Sequence, residues 1–461
     1  MLHPARASTA EQAASPSPRA PADTLVGRLN RHGVRLIMLA DAGAIAAALV
    51  APMLVRHGLA WPSYRPSTYA LGYTAVVVVY LAAFYFSGLY ERSSRVGASS
   101  ELPAIARAAI VATLIVALLA LLTGAYLVPR GNLPFVLLLA AAGVTGARAL
   151  SARVRARREG PPRVLLVGGA EDVALARRHL SDAGTPLEVV GSHAGGQGLL
   201  EAVETHAPTD LLLVSADGIA TLYPSPLLDL DDETVGVLAR VTARDTLLGL
   251  RSLVEVGGMP FTRLRTTALP PSRARAKRFL EVVLLLLGAP VAVPLFLLTA
   301  GYVRLVAGRP IFFFQDRVGR GGVVFRMRKF RTMRPDAEQA GEVIVATRDD
   351  PRIVRGCRWL RTTRLDELPQ LWHVVTGEMT LVGPRPERPE NTATFDVAIP
   401  GYRKRHELAP GLTGLAQTYG RYHTDPSYKL GYDLQYLVNW SPLLDLQILL
   451  RTVWVVLTRQ L

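Results

Sequence analysis

Cysteine is almost absent from this chain, since Cys357 is the only one among 461 residues. No disulfide framework and no cysteine-based metal cluster can therefore form within one chain. Charge is also scarce, because only 19% of the residues are charged, while 50% are hydrophobic and the mean hydropathy is +0.24. This composition predicts a membrane-associated protein. The formal net charge of +15 favours anionic lipid head groups or phosphorylated substrates as partners.

The amino-terminal segment lacks the apolar core of a secretory signal. Residues 1–30 are rich in alanine, proline and serine with scattered arginine, and they predict a disordered tail. Aromatic stacking platforms beside the basic residues are missing as well. The basic residues instead flank apolar segments and short polar motifs, so binding to nucleic acid is not expected.

Four long apolar stretches lie between residues 31 and 150, at 36–55, 69–89, 105–128 and 133–149. A bilayer-spanning helix needs about 20 mainly apolar residues, so we predict a bundle of four transmembrane helices. Arginines cluster before the first, after the second and after the fourth stretch, which places the amino terminus and everything after Arg158 in the cytoplasm. Asp41, inside the first stretch, either marks function or merely faces the bundle, and we favour the second interpretation.

Residues 151–270 predict a cytoplasmic α/β domain. The run RVLLVGG from Arg163 is typical of a buried strand followed by a glycine turn, a helical pattern follows, and residues 210–214 form a second buried strand. This alternation indicates a Rossmann-like domain. Gly168 and Gly169 lack the third glycine of the dinucleotide fingerprint. We therefore favour a structural or regulatory role over a ligand site.

A fifth apolar stretch, residues 279–303, lies near the start of the last predicted domain, residues 271–461. Basic residues flank it on both sides, so both of its ends prefer the cytoplasm. Pro290 lies at its centre with Pro294 one turn later, and proline kinks a helix by removing a backbone donor. We predict a re-entrant helix kinked at Pro290. The alternative is a simple fifth span, which would put the rest of the chain outside the cell.

Two motif blocks after this stretch present basic side chains. The alternation around residues 323–330, with a glycine turn before it, predicts a β-hairpin that holds Lys329 and Arg331. Prolines on both sides of Arg385 predict a stiff loop that fixes the guanidinium for bidentate contact with phosphate. Further along, Arg421 follows another turn. Each of these side chains taken singly is also compatible with a solvated surface charge.

A third block contains the adjacent acids Asp366 and Glu367, preceded by Arg361 and Arg364. The nearby cations are expected to keep Asp366 ionised. An ionised carboxylate is a usable nucleophile toward phosphorus. Glu367 is suited to help hold a hard divalent cation that screens a diphosphate.

The blocks KFRTM, RTTRLDELPQLW and LVGPRPE, in this order after a proline-containing apolar helix, resemble the monotopic polyprenol-phosphate phosphoglycosyltransferase family, also called bacterial sugar transferases. The resemblance covers the chain from about Lys277 onward. With four spans and an α/β domain before it, the whole chain resembles the large form that primes exopolysaccharide, capsule or O-antigen synthesis. The implied fold of the last domain is mainly α, with the re-entrant helix and a small β-hairpin.

The resemblance implies an enzyme of the bacterial inner membrane whose catalytic domain lies on the cytoplasmic face. Its reaction transfers a hexose-1-phosphate from a UDP-sugar to polyprenyl (undecaprenyl) phosphate and releases UMP. Asp366 is implied as the nucleophile and Glu367 as the partner of Mg²⁺. The family's phosphate-site positions fall on Lys329, Arg361, Arg385 and Arg421.

The proline at the kink of the family's re-entrant helix falls on Pro290. At three other positions the chain departs from the family pattern. These departures are Ala289, His373 and Glu378, where serine, asparagine and aspartate are frequent. They leave the acidic pair intact and affect the fine geometry of the site.

Two alternatives stay open at this point. In one, the same substrates react in a direct ternary complex and Asp366 only binds metal. In the other, the protein is a non-catalytic membrane scaffold or sensor that binds a nucleotide sugar. No motif names the sugar, for which glucose or galactose is a guess from the resemblance, and the oligomeric state is open, with a homodimer as one option.

Overall fold

The computed structural model describes residues 36–60, 65–90, 96, 101–124, 128–230, 235–247, 254–264, 269–334, 350–419 and 425–458. The chain forms two compact units. The first comprises residues 1–85 and 101–158, and the second comprises residues 86–100 and 159–461.

The first unit is built from long apolar helices, as predicted. They are α1 (Leu36–His57), α2 (Pro66–Phe86), α3 (Leu102–Thr123) and α4 (Leu133–Glu159), with a 3₁₀ helix at Arg130–Asn132 before α4. All four are long and apolar enough to cross a membrane. Helix α4 continues well past its predicted end at residue 149, so the arginines expected after the span form its last turns.

Asp41 on α1 is fully buried and has a partner on α4. Its carboxylate accepts a hydrogen bond from Arg148 at 3.0 Å, and Arg148 also reaches Glu101 at 2.9 Å. A buried carboxylate is tolerated in such surroundings only when it is paired. The ion pair therefore gives Asp41 a structural role within the packed helices, in line with the favoured interpretation.

The second unit begins with an α/β region, whose existence the sequence predicts. Its elements are β1 (Arg163–Val167), α5 (Ala170–Asp182), β2 (Glu188–His193), α6 (Leu199–His206), β3 (Asp210–Leu213), α7 (Gly218–Leu222), β4 (Gly236–Arg240), α8 (Ala243–Leu247), β5 (Val254–Val256) and β6 (Met259–Leu264). The strand order is β2-β1-β3-β4-β6-β5. The first four strands in this order are parallel, and β6 and β5 add antiparallel.

The central strand β1 is apolar without interruption because both of its faces are covered. Val164 and Leu166 pack in one cluster with α5, whereas Leu165 and Val167 pack in another with α6. Strands that are buried on both faces read as continuous apolar runs instead of alternating ones. The pattern RVLLV at residue 163 is thus explained by helices on both sides of the sheet.

The rest of the second unit is mainly helical. It contains α9 (Pro271–Val306), β7 (Phe312–Val318), β8 (Val324–Phe330), α10 (Arg358–Thr362), α11 (Leu371–Thr376), β9 (Thr380–Val382), α12 (Pro389–Ala398), β10 (Gly411–Thr413), α13 (Leu415–Tyr419), α14 (Pro426–Asn439) and α15 (Pro442–Thr458). Short 3₁₀ helices lie at Leu227–Asp229, Arg320–Gly322, Arg355–Cys357, Leu365–Gln370 and Tyr402–Glu407. Strands β7 and β8 form the expected antiparallel hairpin, while β9 and β10 are parallel.

Helix α9 is longer than the predicted segment 279–303 and runs without a break through Pro290 and Pro294. Proline at Pro290 therefore does not end the helix. Its middle is exposed, with Leu287 at 73% and Val291 at 72%, whereas buried side chains lie near both ends. The exposed apolar middle is suited to lipid, and α9 is the fifth helix in the described part of the chain that is long and apolar enough to cross a membrane.

Both ends of α9 contact the same folded domain. Near the amino end, Lys277 forms 2.9 Å ion pairs with Glu281 and with Asp445 on α15. Near the carboxyl end, Tyr302 donates a 2.9 Å hydrogen bond to the Gly356 carbonyl. A straight helix of this length would measure about 54 Å, more than the roughly 30 Å of a hydrocarbon core. The re-entrant course of this helix, with a fifth span as its alternative, stays a prediction.

Candidate active site

The acidic pair lies on the 3₁₀ helix Leu365–Gln370. This helix follows Arg364, whose φ of +58° falls in the left-handed region. That conformation costs a non-glycine residue about 1–2 kcal/mol and is found where surrounding structure enforces it, often at functional sites. Asp366, two residues further along, is only 8% exposed.

Burial raises the pKa of Asp366 to about 6, and the charge of Glu367 acts in the same direction. The positive charges of Lys329, Arg361 and Arg364 lower it but are outweighed. The expected effect of the cations is thus present, but the cost of burying the charge is larger, and the sequence does not show that burial. Burial therefore makes Asp366 more basic than an exposed carboxylate.

The pKa of Glu367 is shifted in the opposite direction, downward. Lys329 Nζ lies 2.8 Å from Glu367 Oε1, and an Arg364 nitrogen lies 3.4 Å from the same oxygen. Although burial acts to raise the pKa of Glu367, the charges of Lys329, Arg364 and Arg385 lower it to about 2. The environment thus separates the two pKa values, which is typical of carboxylates with different catalytic roles.

Lys329 is presented by strand β8, as predicted, and a histidine supports the free edge of that strand. The Arg328 backbone N–H donates a 3.1 Å hydrogen bond to His373 Nε2, and His373 Nδ1 lies 2.7 Å from Glu378 Oε2. His373 is buried. Two of the departures from the family pattern are therefore in contact with each other, and together they brace the strand beside Lys329.

Arg385 lies on a loop whose backbone is held on every side. Its side chain is exposed, and its charge acts on both Glu367 and Arg317. Four consecutive carbonyls of residues 384–387 accept hydrogen bonds of 2.8–3.0 Å. Their donors are Gly411 N, Arg405 Nη2, Arg317 Nη1 and Val318 N. These bonds fix the backbone from which the Arg385 side chain extends, so the loop itself needs no further ordering when an anion binds.

Two of these donors were not singled out from the sequence. Burial, and then the neighbouring Arg385, lower the pKa of Arg317 to about 10. Arg405 is buried and forms a 2.8 Å ion pair with Asp433 on α14. For Arg317 the sequence contains a weak indication, because this residue lies within the strand pattern of β7. Arg405 carried none, since it belongs to the basic run RKRH, which is typical of a solvated segment.

Three glycines let two backbone segments cross directly behind the Arg385 loop. A Cβ on Gly411 would lie 2.1 Å from the Gly383 nitrogen, and one on Gly414 would lie 2.2 Å from the Gly383 oxygen. Strand β9 leads into Gly383, and β10 begins at Gly411, so the pairing of these strands brings the motifs LVGPRPE and PGLTG together. Any side chain at this crossing would push the loop out of place.

Replacing Gly411 by alanine is expected to destabilise the protein by about 3 kcal/mol, because overpacking against backbone cannot be relieved by a rotamer change. Thermal unfolding of the detergent-solubilised protein measures the effect. The matched control is Gly431→Ala on α14, where a Cβ would meet nothing within 4 Å. This control should be neutral or stabilise the helix by up to about 1 kcal/mol. Equal unfolding temperatures for the two variants would contradict the crowding argument.

The remaining predicted residues have different outcomes. Arg361, on α10, acts electrostatically on Asp366, so the structure brings it to the same site as Lys329 and Arg385. Arg421 lies outside the described residues. Pro290 lies in the middle of α9, between the two ends that contact the domain.

The acidic pair fits a magnesium ion of the kind that binds substrate phosphates. Asp366 Oδ1 is buried and has no hydrogen-bond partner among the described residues. In that part of the chain, no group of three or more histidine, cysteine or acidic side chains is placed to hold a metal. Mg²⁺ is often bound by one or two carboxylates, with water and phosphate oxygens completing the octahedron. Glu367, the predicted partner of Mg²⁺, is a carboxylate of this kind, next to the unpartnered oxygen of Asp366.

Comparison with known proteins identifies the family of this chain. The family model described as bacterial sugar transferase matches residues 272–459. The exopolysaccharide production protein ExoY of Sinorhizobium fredii is 35% identical over 207 residues, which is 42% of this chain and 90% of that protein. The chain belongs to the bacterial sugar transferase family. The family predicted from the three motif blocks is therefore confirmed.

Two longer relatives match a smaller share of their own length. The UDP-N-acetylgalactosamine-undecaprenyl-phosphate N-acetylgalactosaminephosphotransferase of Aeromonas hydrophila is 34% identical over 263 residues, or 54% of this chain and 62% of the relative. The UDP-glucose:undecaprenyl-phosphate glucose-1-phosphate transferase of Klebsiella pneumoniae is 37% identical over 205 residues, or 43% of this chain and 44% of the relative. The chain thus spans about half the length of these relatives. They differ in the sugar that their names specify.

Proposed function

We propose that this sugar transferase moves a hexose-1-phosphate from a UDP-sugar to undecaprenyl phosphate and releases UMP. The observation that carries the proposal is the buried Asp366, a carboxylate of raised pKa with one oxygen unpartnered, beside the strongly ionised Glu367. The names of the two longer relatives describe reactions of this class. Such a reaction would be the first membrane step of exopolysaccharide, capsule or O-antigen synthesis.

In the first half-reaction, an oxygen of Asp366 attacks the phosphorus that bears the sugar. A new bond forms between this oxygen and phosphorus, and the bond from phosphorus to the bridging oxygen of the diphosphate breaks. UMP leaves with that oxygen and its electron pair. Because the carboxylate is ionised, no base is needed to activate it. The aspartyl phosphosugar is the intermediate.

In the second half-reaction, a phosphate oxygen of the lipid attacks the same phosphorus. The bond to the Asp366 oxygen breaks, and the carboxylate returns to its ionised state. Phosphoryl transfer of this kind depends mainly on positioning and on neutralising charge. Lys329 and Arg385 both supply positive charge at Glu367. The strand of Lys329 and the loop of Arg385 are held by the hydrogen bonds described above.

Mg²⁺, when bound, would add charge neutralisation at the diphosphate. Glu367 is the residue that would hold it, while Asp366 serves as the nucleophile. Lys329 keeps Glu367 in a fixed position, since its Nζ lies 2.8 Å from the carboxylate. Arg361 completes the positive surroundings of Asp366, and Arg421 remains a proposed phosphate ligand from the family pattern.

The membrane arrangement that we propose follows from charge and from α9. Helices α1–α4 form a transmembrane bundle in the inner membrane, and the Rossmann-like domain and the catalytic domain lie on the cytoplasmic side. Helix α9 dips into one leaflet and returns, so that its two ends contact the same domain. This geometry would keep the site at head-group level, where a lipid phosphate and a soluble nucleotide can both reach Asp366.

An assay of UMP release with a panel of UDP-sugars, with and without undecaprenyl phosphate, tests the proposal. The purified protein should release about one UMP per chain without lipid, and continuously with lipid, as expected for a covalent intermediate. Release that strictly requires the lipid would favour the direct ternary reaction. If no UDP-sugar led to UMP release, the proposed catalysis would be contradicted. The alternative of a non-catalytic scaffold or sensor would then be favoured.

A further inference from the structure

A tyrosine of the α/β domain contacts the catalytic domain at a single glycine. Tyr223, directly after α7, donates a 3.1 Å hydrogen bond from its hydroxyl to the Pro400 carbonyl. A Cβ on Gly401 would lie 2.5 Å from the Tyr223 hydroxyl oxygen and 3.3 Å from a methyl group of Leu228. Gly401 also has a φ of +78°, which disfavours any other residue. The contact is therefore close, and it needs glycine for two independent reasons.

The contacted glycine directly precedes the 3₁₀ helix Tyr402–Glu407, which carries Arg405. Arg405 forms a hydrogen bond with the Tyr402 hydroxyl, donates at 3.0 Å to the Arg385 carbonyl and pairs at 2.8 Å with Asp433. Arg405 and Asp433 are 4% and 2% exposed. A buried guanidinium must keep its partners, because losing one leaves charge or polarity uncompensated. Movement of this helix would therefore shift Arg405, and with it the backbone of Arg385.

We infer that the α/β domain positions the Arg385 loop of the active site through Tyr223, Gly401 and Arg405. In this chain of contacts, Tyr223 and Arg405 are positioning residues, since they act through Arg385. The part of the inference that concerns turnover rests on the proposed function, in which Arg385 binds substrate phosphate. The part that concerns the position of the loop does not rest on the proposed function.

The physical reason is that the 3₁₀ helix needs support from outside itself. Such helices have poorer hydrogen-bond geometry than α-helices and are stable only as short pieces. Arg405 holds the second half of this helix. At its beginning, the Phe395 ring packs on Tyr402, and Tyr223 of the α/β domain donates to the Pro400 carbonyl. Misplacing a substrate-binding group by about 1 Å can cost on the order of 100-fold in rate. In this proposal the α/β domain, which lacks the dinucleotide fingerprint, serves the reaction by positioning the Arg385 loop.

Hydrogen exchange of the full-length protein in detergent tests the mechanical link. In Tyr223→Ala, residues 401–408 and 383–388 should exchange faster than in the parent protein, while the strands of the α/β sheet should not change. Tyr223→Phe keeps the ring and loses only the hydrogen bond, so its effect should be smaller. Tyr428→Ala is the matched control, because Tyr428 is 71% exposed on α14. Unchanged exchange at residues 383–388 in Tyr223→Ala would overturn the inference, whether or not the protein is active.

Kinetics of UMP release test the consequence for the site. Tyr223→Ala should raise the KM for the UDP-sugar about tenfold and change kcat less, as expected from one lost polar contact worth about 1.4 kcal/mol. Arg405→Lys should raise KM in the same way. The double variant should resemble Arg405→Lys alone, since both changes act along one path. Fully additive effects would refute the shared path. Absence of UMP release from the parent protein would refute the proposed function instead, while the exchange experiment would still decide the mechanical link.

Discussion

Replacing Asp366 by asparagine is expected to lower UMP release by at least about 1,000-fold, because the variant lacks the nucleophile on which the intermediate forms. The fold should be retained, and the unfolding temperature should be equal or higher. Burial raises the pKa of Asp366 to about 6, so the ionised carboxylate is less favourable in the folded protein than in the unfolded chain at neutral pH. A neutral amide removes that cost. Labelling with a UDP-sugar that carries radioactive phosphorus beside the sugar measures the intermediate directly.

The control for this variant is Asp316→Asn, since Asp316 is an exposed carboxylate on the hairpin of the same domain. It should keep both labelling and turnover. Labelling that persists in Asp366→Asn would show that another residue is the nucleophile. A large loss of stability in Asp366→Asn would contradict the electrostatic argument, even if activity were lost.

Replacing Lys329 by methionine is expected to lower kcat/KM for UMP release by about 100-fold, the usual cost of removing one preorganised charge from a site of this kind. Stability should fall as well, because Glu367 loses the cation that lies 2.8 Å from its carboxylate. Arg326→Met serves as the control. It lies on the same strand, is exposed, and belongs to the alternating set of side chains that points away from Lys329.

The double variant Lys329→Met with Glu367→Gln separates the two effects. Removing both charges should restore much of the lost stability, since a buried ion is costly mainly when its partner is missing. It should not restore activity. Turnover of Lys329→Met within about threefold of the parent protein would show that Lys329 only pairs with Glu367 and does not serve the reaction.

Short-range patterns were sufficient to predict several parts of the site. The alternation and glycine turn around residues 323–330 predicted the hairpin that presents Lys329. Prolines on both sides of Arg385 predicted a stiff loop, and the chain indeed holds four of its consecutive carbonyls. These features could be predicted because turn chemistry and strand alternation act over a few residues.

Other features could not be predicted, because they depend on residues far apart in the chain. The contact of Tyr223 with Gly401 joins positions 178 residues apart, and Arg405 looked like part of a solvated basic run. The direction of the Asp366 pKa shift also needed the fold. Neighbouring cations are visible in the sequence, but the degree of burial is not.

The sequence by itself determined which chemical groups this protein carries and which segments are apolar enough for lipid, since both depend only on residue type and local order. Tertiary structure decided how those groups work. It set the pKa values of Asp366 and Glu367 apart, brought Gly383 and Gly411 into backbone contact, and packed both ends of α9 on one domain. The physical reason is that burial, close backbone approach and ion pairing are properties of distances in space.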